Sequence, residues 1–401
     1  MYICHILNIV MMKLKYLSLL IPLVIFTACG GGKSASERAD ELCARLMTMD
    51  THNHVDVPMK TGEVPGPHVD LREAMQKAGI SAIGMTFAVD YVQPLADGQE
   101  YERFLNGLTA QDSVLAWSGL ERTLDGAQME EKFKAGEPIV IQCIEGGHFL
   151  EGDISRMQVA YDRGLRVFGL LHDNDANHPL GDVYTNEPKF GGLTQLGADA
   201  IRECERLGIL VDLAHCDSTT IAMALEVAKK PVIISHTGLN TRLGSNDFMG
   251  NMMRARLISP AQAKMVADKG GVIGVWPHLA GSPEEYASNI KAMVDIVGID
   301  HVCIGTDSKI TPEYAEFNPE MMERMHRNDE KKGNMPEFKE GEGPKFPQKD
   351  PNAVNHEWND QADNFYHSVI RCLVEEKFTD TEIEKIVSGN FCRIFDKATR
   401  K

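Results

Sequence analysis

Two histidines set the chemistry this chain can do. Ile209–Thr237 reads as an apolar strand ending in His215, a helical run over Ser218–Lys230, and a second apolar strand ending in His236. A strand–helix–strand unit runs its strands parallel, so both imidazoles emerge at the carboxyl edge of the sheet, where α/β proteins carry their chemistry. One strand-end histidine is more often a hydrogen-bonded rim residue than a ligand; two on successive parallel strands suggest a metal.

Other strand ends add to the pair. Asp50-Thr51-His52-Asn53-His54 is an H-x-H run, and side chains two apart share a strand face, so His52 and His54 can both point into a barrel mouth. H-x-H alone is a weak signal. Glu145 ends another apolar run and is followed by Gly146-Gly147; His172 ends a fourth, followed by Asp173; and Gly305-Thr306-Asp307 ends a last one. Metal-binding residue types at six of eight expected strand ends are hard to explain as packing, because buried charges gather at high cost without a cation. Two divalent ions would neutralise them, His52 and His54 on one, His215 and His236 on the other, with Glu145 bridging, since a carboxylate can bridge and an imidazole cannot. Imidazole-rich sites suit zinc best, other transition metals remaining open.

The elements that must hold these residues alternate throughout the chain. Strands are expected over Leu46–His52, Ile80–Val89, Pro138–Glu145, Val167–His172, Ile209–His215, Val232–His236, Val272–Trp276 and His301–Asp307. Helical runs lie between most of them: Leu71–Ala78, Tyr101–Lys134, Ser155–Arg163, Gln195–Leu207, Ser218–Lys230, Pro260–Asp268 and Pro283–Val297, with Asp363–Glu376 and Thr379–Val387 closing the chain. Eight strands each followed by a helix predict an α/β fold, a (β/α)8 TIM-type barrel over residues 39–401 as one catalytic domain. Gly79, Gly164, Gly208, Gly270 and Gly298 each precede a strand, where a helix must stop. The stretch 311–360 breaks the rhythm and is expected to be a long insertion on the catalytic rim.

With 401 residues and 43% hydrophobic content the chain can bury a barrel-sized core. A net charge of −17 repels phosphate backbones and argues against nucleic acid as a partner. At the N-terminus Lys13 and Lys15 precede the apolar run Tyr16–Ala28, which is shorter than the roughly 20 residues that span a bilayer. Phe26-Thr27-Ala28-Cys29 resembles a bacterial lipobox, so residues 1–28 are expected to be a lipoprotein signal peptide, Cys29 the lipidated residue and 29–38 a flexible tether. That makes the chain an exported lipoprotein, periplasmic or outer-surface, held to a membrane. The remaining seven cysteines are odd in number and irregular in spacing, and read as packed thiols.

On these segments the chain resembles the membrane (renal-type) dipeptidases, zinc metallopeptidases of the amidohydrolase superfamily. The matching stretches are Asp50-Thr51-His52-Asn53, Ile144-Glu145-Gly146-Gly147, Gly192-Leu193-Thr194 with Gly197, Val211-Asp212-Leu213-Ala214-His215, Pro231–His236, Gly305-Thr306-Asp307, and Gly389-Asn390-Phe391 with Arg393 and Phe395. The resemblance implies metal ligation by His52, Glu145, His215 and His236, a contact of His172 with the scissile carbonyl oxygen, and proton transfer by Asp307. It implies that Arg256 receives the substrate carboxylate, with Arg254 as competitor, and that the substrate is a short peptide, in some cases with a D-residue at its C-terminus. A homodimer is a further expectation. Two departures stand out: the family's strand-one motif has aspartate where this chain has His54, and Phe-Asp-Gly after Asp307 is replaced by Ser308, Lys309 and Ile310. They leave open a hydrolase of another amide, a lactone or a phosphoester, and a lipoprotein that binds without turnover.

Overall fold

Eight parallel strands pair in sequence order: β1 Met49–His54, β2 Ala82–Thr86, β3 Ile139–Ile144, β4 Leu165–Gly169, β5 Leu210–Asp212, β6 Ile233–Thr237, β7 Val272–Val275 and β8 Val302–Ile304. The computed structural model describes residues 33–90, 95–245, 247–314 and 353–400. β1 and β8 close the barrel at its carboxyl end, where the Asp307 amide donates to the His52 carbonyl at 3.0 Å and the His54 amide to that of Ser308 at 2.8 Å. The (β/α)8 barrel expected from the alternation is the fold observed.

All eight strands occur where apolar runs place them, and the helices Leu71–Ala78, Gln195–Leu207, Pro260–Asp268 and Pro283–Val297 have the expected bounds. Gly79 and Gly208 end two of them at φ of 68° and 87°, a region open to glycine at little cost. Inside the barrel wall glycine serves close approach: a Cβ on Gly274 or Gly305 would lie 1.8 Å from the Ser235 carbonyl oxygen. No side chain fits there.

Four details differ from expectation. Tyr101–Lys134 is two helices, Gln99–Ser118 and Gly126–Ala135, because Gly119 takes φ 59° and stops the first. The tether expected to reach residue 38 gives way at residue 35 to the helix Ala35–Arg45, whose Ala39 and Leu42 are buried on a side that packs against Phe365–Glu375. Strands β4, β5 and β8 stop three residues short of His172, His215 and Asp307. Finally, Thr379–Val387 becomes a short helix, Asp380–Glu384, that runs through a wider π turn into Asn390–Thr399.

That last helix has a structural task. Its Phe391, Ile394 and Phe395 pack with Met49, Ala82, Ile139, Leu210, Ile233 and Val272, the first residues of six strands, and so plug the amino end of the barrel. Asn390 fixes it by donating to the carbonyls of Ile299 and Val302 at 2.7 and 2.8 Å. The histidines and carboxylates expected at the strand ends lie on the opposite rim. All seven described cysteines are free thiols. The leader 1–28, Cys29 and most of the 311–360 insertion lie outside the described residues. Of the insertion's end, buried Trp358 donates to the Ala280 carbonyl at 3.0 Å, so the chain returns to the rim there.

Candidate metal centre

The carboxyl end of β1 is locked to that of β8 by a buried aspartate. Asp50 accepts from the Thr306 amide at 2.9 Å, the Thr306 hydroxyl at 2.7 Å and the Asn53 amide group at 3.0 Å. Burial pushes its carboxyl up, so these donors keep a costly group in place. The lock sets His52 and His54 opposite Asp307. Asp212 does the same between β5 and β6, accepting from the amides of Ala214 and Ser235 at 3.0 and 2.9 Å.

His215 and Asp307 take φ of 65° and 54°, two of the four non-glycine residues in the left-handed region among the described residues. That conformation costs on the order of 1–2 kcal/mol. Each lies three residues past its strand, at a turn that brings the side chain back over the barrel mouth.

There the side chains converge on Glu145. Its Oε1 is 2.7 Å from His215 Nε2, 3.5 Å from His52 Nε2 and 3.6 Å from His236 Nε2. Oε2 is 3.2 Å from both His54 Nε2 and His172 Nε2. The Nε2 atoms of His215 and His236 face each other at 2.9 Å. Asp307 Oδ1 lies 3.3 Å from His54 Nε2 and 3.9 Å from His52 Nε2. Every residue expected to bind metal is in this cluster, with His172 and Asp307 beside it.

A divalent ion fits the donor set. Both Glu145 oxygens and His52 Nε2 are buried and, close as the imidazole nitrogens stand, none is aligned with them as a hydrogen bond, a state that is costly unless something else satisfies them. Three overlapping triads, His52–Glu145–His236, His52–His54–Asp307 and Glu145–His172–His215, each offer ligand atoms within 4.8 Å of one another. Nitrogen and carboxylate donors of this kind suit zinc and its neighbours.

Electrostatics follow from the crowding. Burial would raise the Glu145 carboxyl, but the His172, His52 and His215 imidazoles outweigh it and hold it well below the usual range. Burial and the nearby His52 push His236 down, keeping its lone pair free to ligate. Burial opposes protonation of His54 too, yet Asp307 and Glu145 raise it to about 10, so an arriving cation must displace a proton. Burial is likewise overcome at His172, which Asp90 and Glu145 lift well above its ordinary value; its Nδ1 donates to Asp90 Oδ1 at 2.6 Å.

Arg256 enters from the short turn Arg254–Arg256 between β6 and β7. Its Nε donates to the Tyr184 hydroxyl at 2.5 Å and Nη2 is 3.3 Å from Asp173 Oδ1, while Nη1 reaches to 4.0 Å from Asp307 Oδ2. Tyr184 donates to Asp173, which also lies 3.1 Å from His215 Nδ1. Arg254 is exposed and 3.4 Å from the Asn251 side chain, and of the two arginines Arg256 is the one with a contact to Asp307.

The sequence reading omitted Asp90, Tyr184, Ser235 and His278. Ser235 Oγ is 2.9 Å from His236 Nδ1 and 3.3 Å from His52 Nδ1, orienting two rings at once. His278 Nε2 is 3.3 Å from Asp307 Oδ2. Asp90 and His278 follow the second and seventh expected strands, the two that end without a ligand-type residue, at Val89 and Trp276. A search a few residues beyond each strand end would have found both.

The eight parallel strands, with a histidine and carboxylate cluster at their carboxyl rim, make this a TIM-type barrel with a candidate metal centre. The chain belongs to the membrane dipeptidase family, peptidase family M19, whose family model matches residues 36–327. Dipeptidase verJ of Clonostachys rogersoniana is 29% identical over 199 residues, 47% of each chain. Dipeptidase tcpJ of Claviceps purpurea is 24% identical over 62% of this chain and 60% of its own. The chain thus spans about half of the length of the curated relatives it matches. Among solved structures, an amidohydrolase from Pseudomonas aeruginosa superposes with a TM-score of 0.67 at 18% identity, over 90% of this chain and 98% of that one. A Rhodobacter sphaeroides metallopeptidase, solved with a phosphinate mimic of the dipeptide L-Ala-D-Ala, gives 0.54 at 16% identity, over 88% and 99%. These structures share the barrel.

Proposed function

We propose that this chain hydrolyses the peptide bond of dipeptides, including ones with a C-terminal D-residue, at a centre of two divalent ions, zinc being the best fit to its donors. The observation that carries this reading is the buried Glu145 carboxylate, whose two oxygens are ringed by five imidazole nitrogens with no well-aligned hydrogen bond, and a guanidinium on the open side. His52 and His54 would hold one ion, His215 and His236 the other, and Glu145 both. When bound, the ions supply a nucleophile from water at neutral pH and polarise the scissile carbonyl.

The chain's own residues do the rest. Arg256, held by Tyr184 and Asp173, takes the C-terminal carboxylate through its free guanidinium edge and so selects short peptides with a free end. His172, kept cationic by Asp90, donates to the carbonyl oxygen as negative charge builds on it. Asp307 accepts the proton of the attacking water, whose oxygen becomes part of the new carboxylate, and passes it to the departing nitrogen as the C–N bond breaks, which leaves two free amino acids.

A substrate panel tests the reading. Dipeptides with free carboxylates should be cleaved, and C-terminally amidated dipeptides, lactones and phosphoesters should be poor substrates. Turnover confined to lactones or phosphoesters would refute it.

We also infer that the enzyme is an exported lipoprotein anchored through Cys29. Lys13, Lys15 and the apolar run to Ala28 support this, and among the described residues no helix is long and apolar enough to cross a membrane. Cys29→Ser should move the protein from the membrane to the soluble fraction; unchanged membrane association would rule the anchor out.

A further inference from the structure

One carboxylate oxygen behind the metal cluster receives three donors from three different loops. Asp173 Oδ1 accepts from the Tyr184 hydroxyl, lies 3.1 Å from His215 Nδ1 and takes Arg256 Nη2 at 3.3 Å. A carboxylate oxygen offers about two lone pairs, so the three donors compete for it. Arg256 is the farthest of the nitrogens and is supported elsewhere: its Nε donates to Tyr184, and its guanidinium carbon stands 5.6 Å from the centres of both the Tyr184 and the Trp276 rings. Asp173 is fixed through its backbone, whose carbonyl accepts from the Thr185 hydroxyl at 2.6 Å.

Two of the donors serve different tasks. His215 turns Nε2 toward the metal cluster, 2.7 Å from Glu145 Oε1. With that nitrogen needed as a lone pair, Nδ1 carries the ring's proton and donates to Asp173. A carboxylate on the far nitrogen fixes the ring and makes the near one a stronger ligand. Arg256 is the receptor of the substrate carboxylate. Its Nη1, at 4.0 Å from Asp307 Oδ2, is too far for a hydrogen bond, so among the described residues Asp173 is the acid bonded to the guanidinium. One oxygen thus stands between the ion site and the substrate site.

We infer that Asp173 is a positioning residue that couples these two sites. A carboxylate bound at Arg256 draws the guanidinium off Oδ1, leaves that oxygen to His215, and so tightens the ion that His215 holds. The inference rests on the two-ion reading, with Arg256 as carboxylate receptor, and adds that substrate and ion reinforce each other's binding.

Propionate, a carboxylate with a short apolar body and no amine to chelate zinc, is the probe. Calorimetry on the zinc-loaded full chain reads whether it binds. Zinc retained against a competing chelator, with and without propionate, then reads the coupling with no assay of turnover. In the parent, saturating propionate should improve retention about fivefold or more, the lower end of ordinary coupling between sites. Asp173→Asn, which keeps the shape and removes the charge, should lose zinc about 10–100-fold more readily, the usual size of an outer partner's effect, and gain nothing from propionate. Arg256→Met should hold zinc at least as firmly as the parent, since Oδ1 is then left to His215 and Tyr184, and should be equally indifferent to propionate. A merely structural contact would loosen zinc in both variants, so the opposite signs are what identify coupling. If Asp173→Asn does not fold, Asp173→Ser, shorter and also uncharged, carries the same expectations. Propionate that binds the parent without changing its zinc retention overturns the inference. So does a neutral Asp173 variant that keeps the fivefold gain, because the effect would then be charge acting through space from Arg256, and so does zinc loosened in Arg256→Met. A parent that takes up no zinc, or a zinc-loaded parent that does not bind propionate, sinks the underlying reading instead, a separate and distinguishable result.

Discussion

Glu145→Gln is expected to reduce dipeptide hydrolysis by about 10³-fold or more, on the scale that preorganised electrostatic stabilisation contributes, and to drop bound metal below one ion per chain. The substitution keeps volume and shape, so the surrounding rings lose only the anion they share. His215, His52 and His236 meet at Oε1, and His54 and His172 at Oε2. An amide carries no net charge, and its nitrogen can neither ligate nor bridge. Both proposed ion positions would therefore lose their common ligand in one step, whereas a change at any single histidine would remove one ligand of one ion. Elemental analysis beside a dipeptide assay decides the matter. A variant with two ions and unchanged turnover would show that the cluster around Glu145 is not the centre.

Much of this site was legible in the sequence because barrel topology does the gathering. Once eight apolar runs alternate with helices, their ends lie on one rim, and histidines 52, 54, 172, 215 and 236 with carboxylates 145 and 307 need no further information to be neighbours. The ends themselves were less legible. His172, His215 and Asp307 lie three residues beyond their strands, and two of the three are brought back over the mouth by a left-handed backbone that residue type does not announce. The residues behind the site were illegible for a related reason. Asp90, Tyr184 and His278 come from loops, where no periodicity fixes which way a side chain points, and they act by holding another side chain. Ser235, in a strand, could have been found: it sits beside a ligand and reaches two rings. The split of Tyr101–Lys134 was missed although Gly119 and the capping Asp125 mark it, and the N-terminal helix because four residues of its first turn were read as linker.

Arg256→Met should weaken hydrolysis of dipeptides by about 10²-fold in kcat/KM, most of it in KM, and leave the weaker hydrolysis of C-terminally amidated dipeptides nearly unchanged. The figure is the roughly 3 kcal/mol carried by a hydrogen-bonded charge pair when one partner is removed, at about 1.4 kcal/mol per factor of ten. The comparison of substrates matters more than its size. Arg256 Nη1 is also 4.0 Å from Asp307 Oδ2, so the guanidinium could act by tuning that carboxylate, and then both substrate types would fall together. If it binds the peptide's carboxylate, only the free-ended substrate has something to lose. Its anchoring predicts a graded partner effect: Tyr184→Phe removes the acceptor of Nε and leaves Asp173 near Nη2, so KM should rise by less than in Arg256→Met, with kcat kept. Exposed Arg254, replaced by Met, should change neither. Equal losses for free and amidated dipeptides would move Arg256 from substrate recognition to the support of Asp307, and the limit to peptides with a free end would then need another residue to explain it.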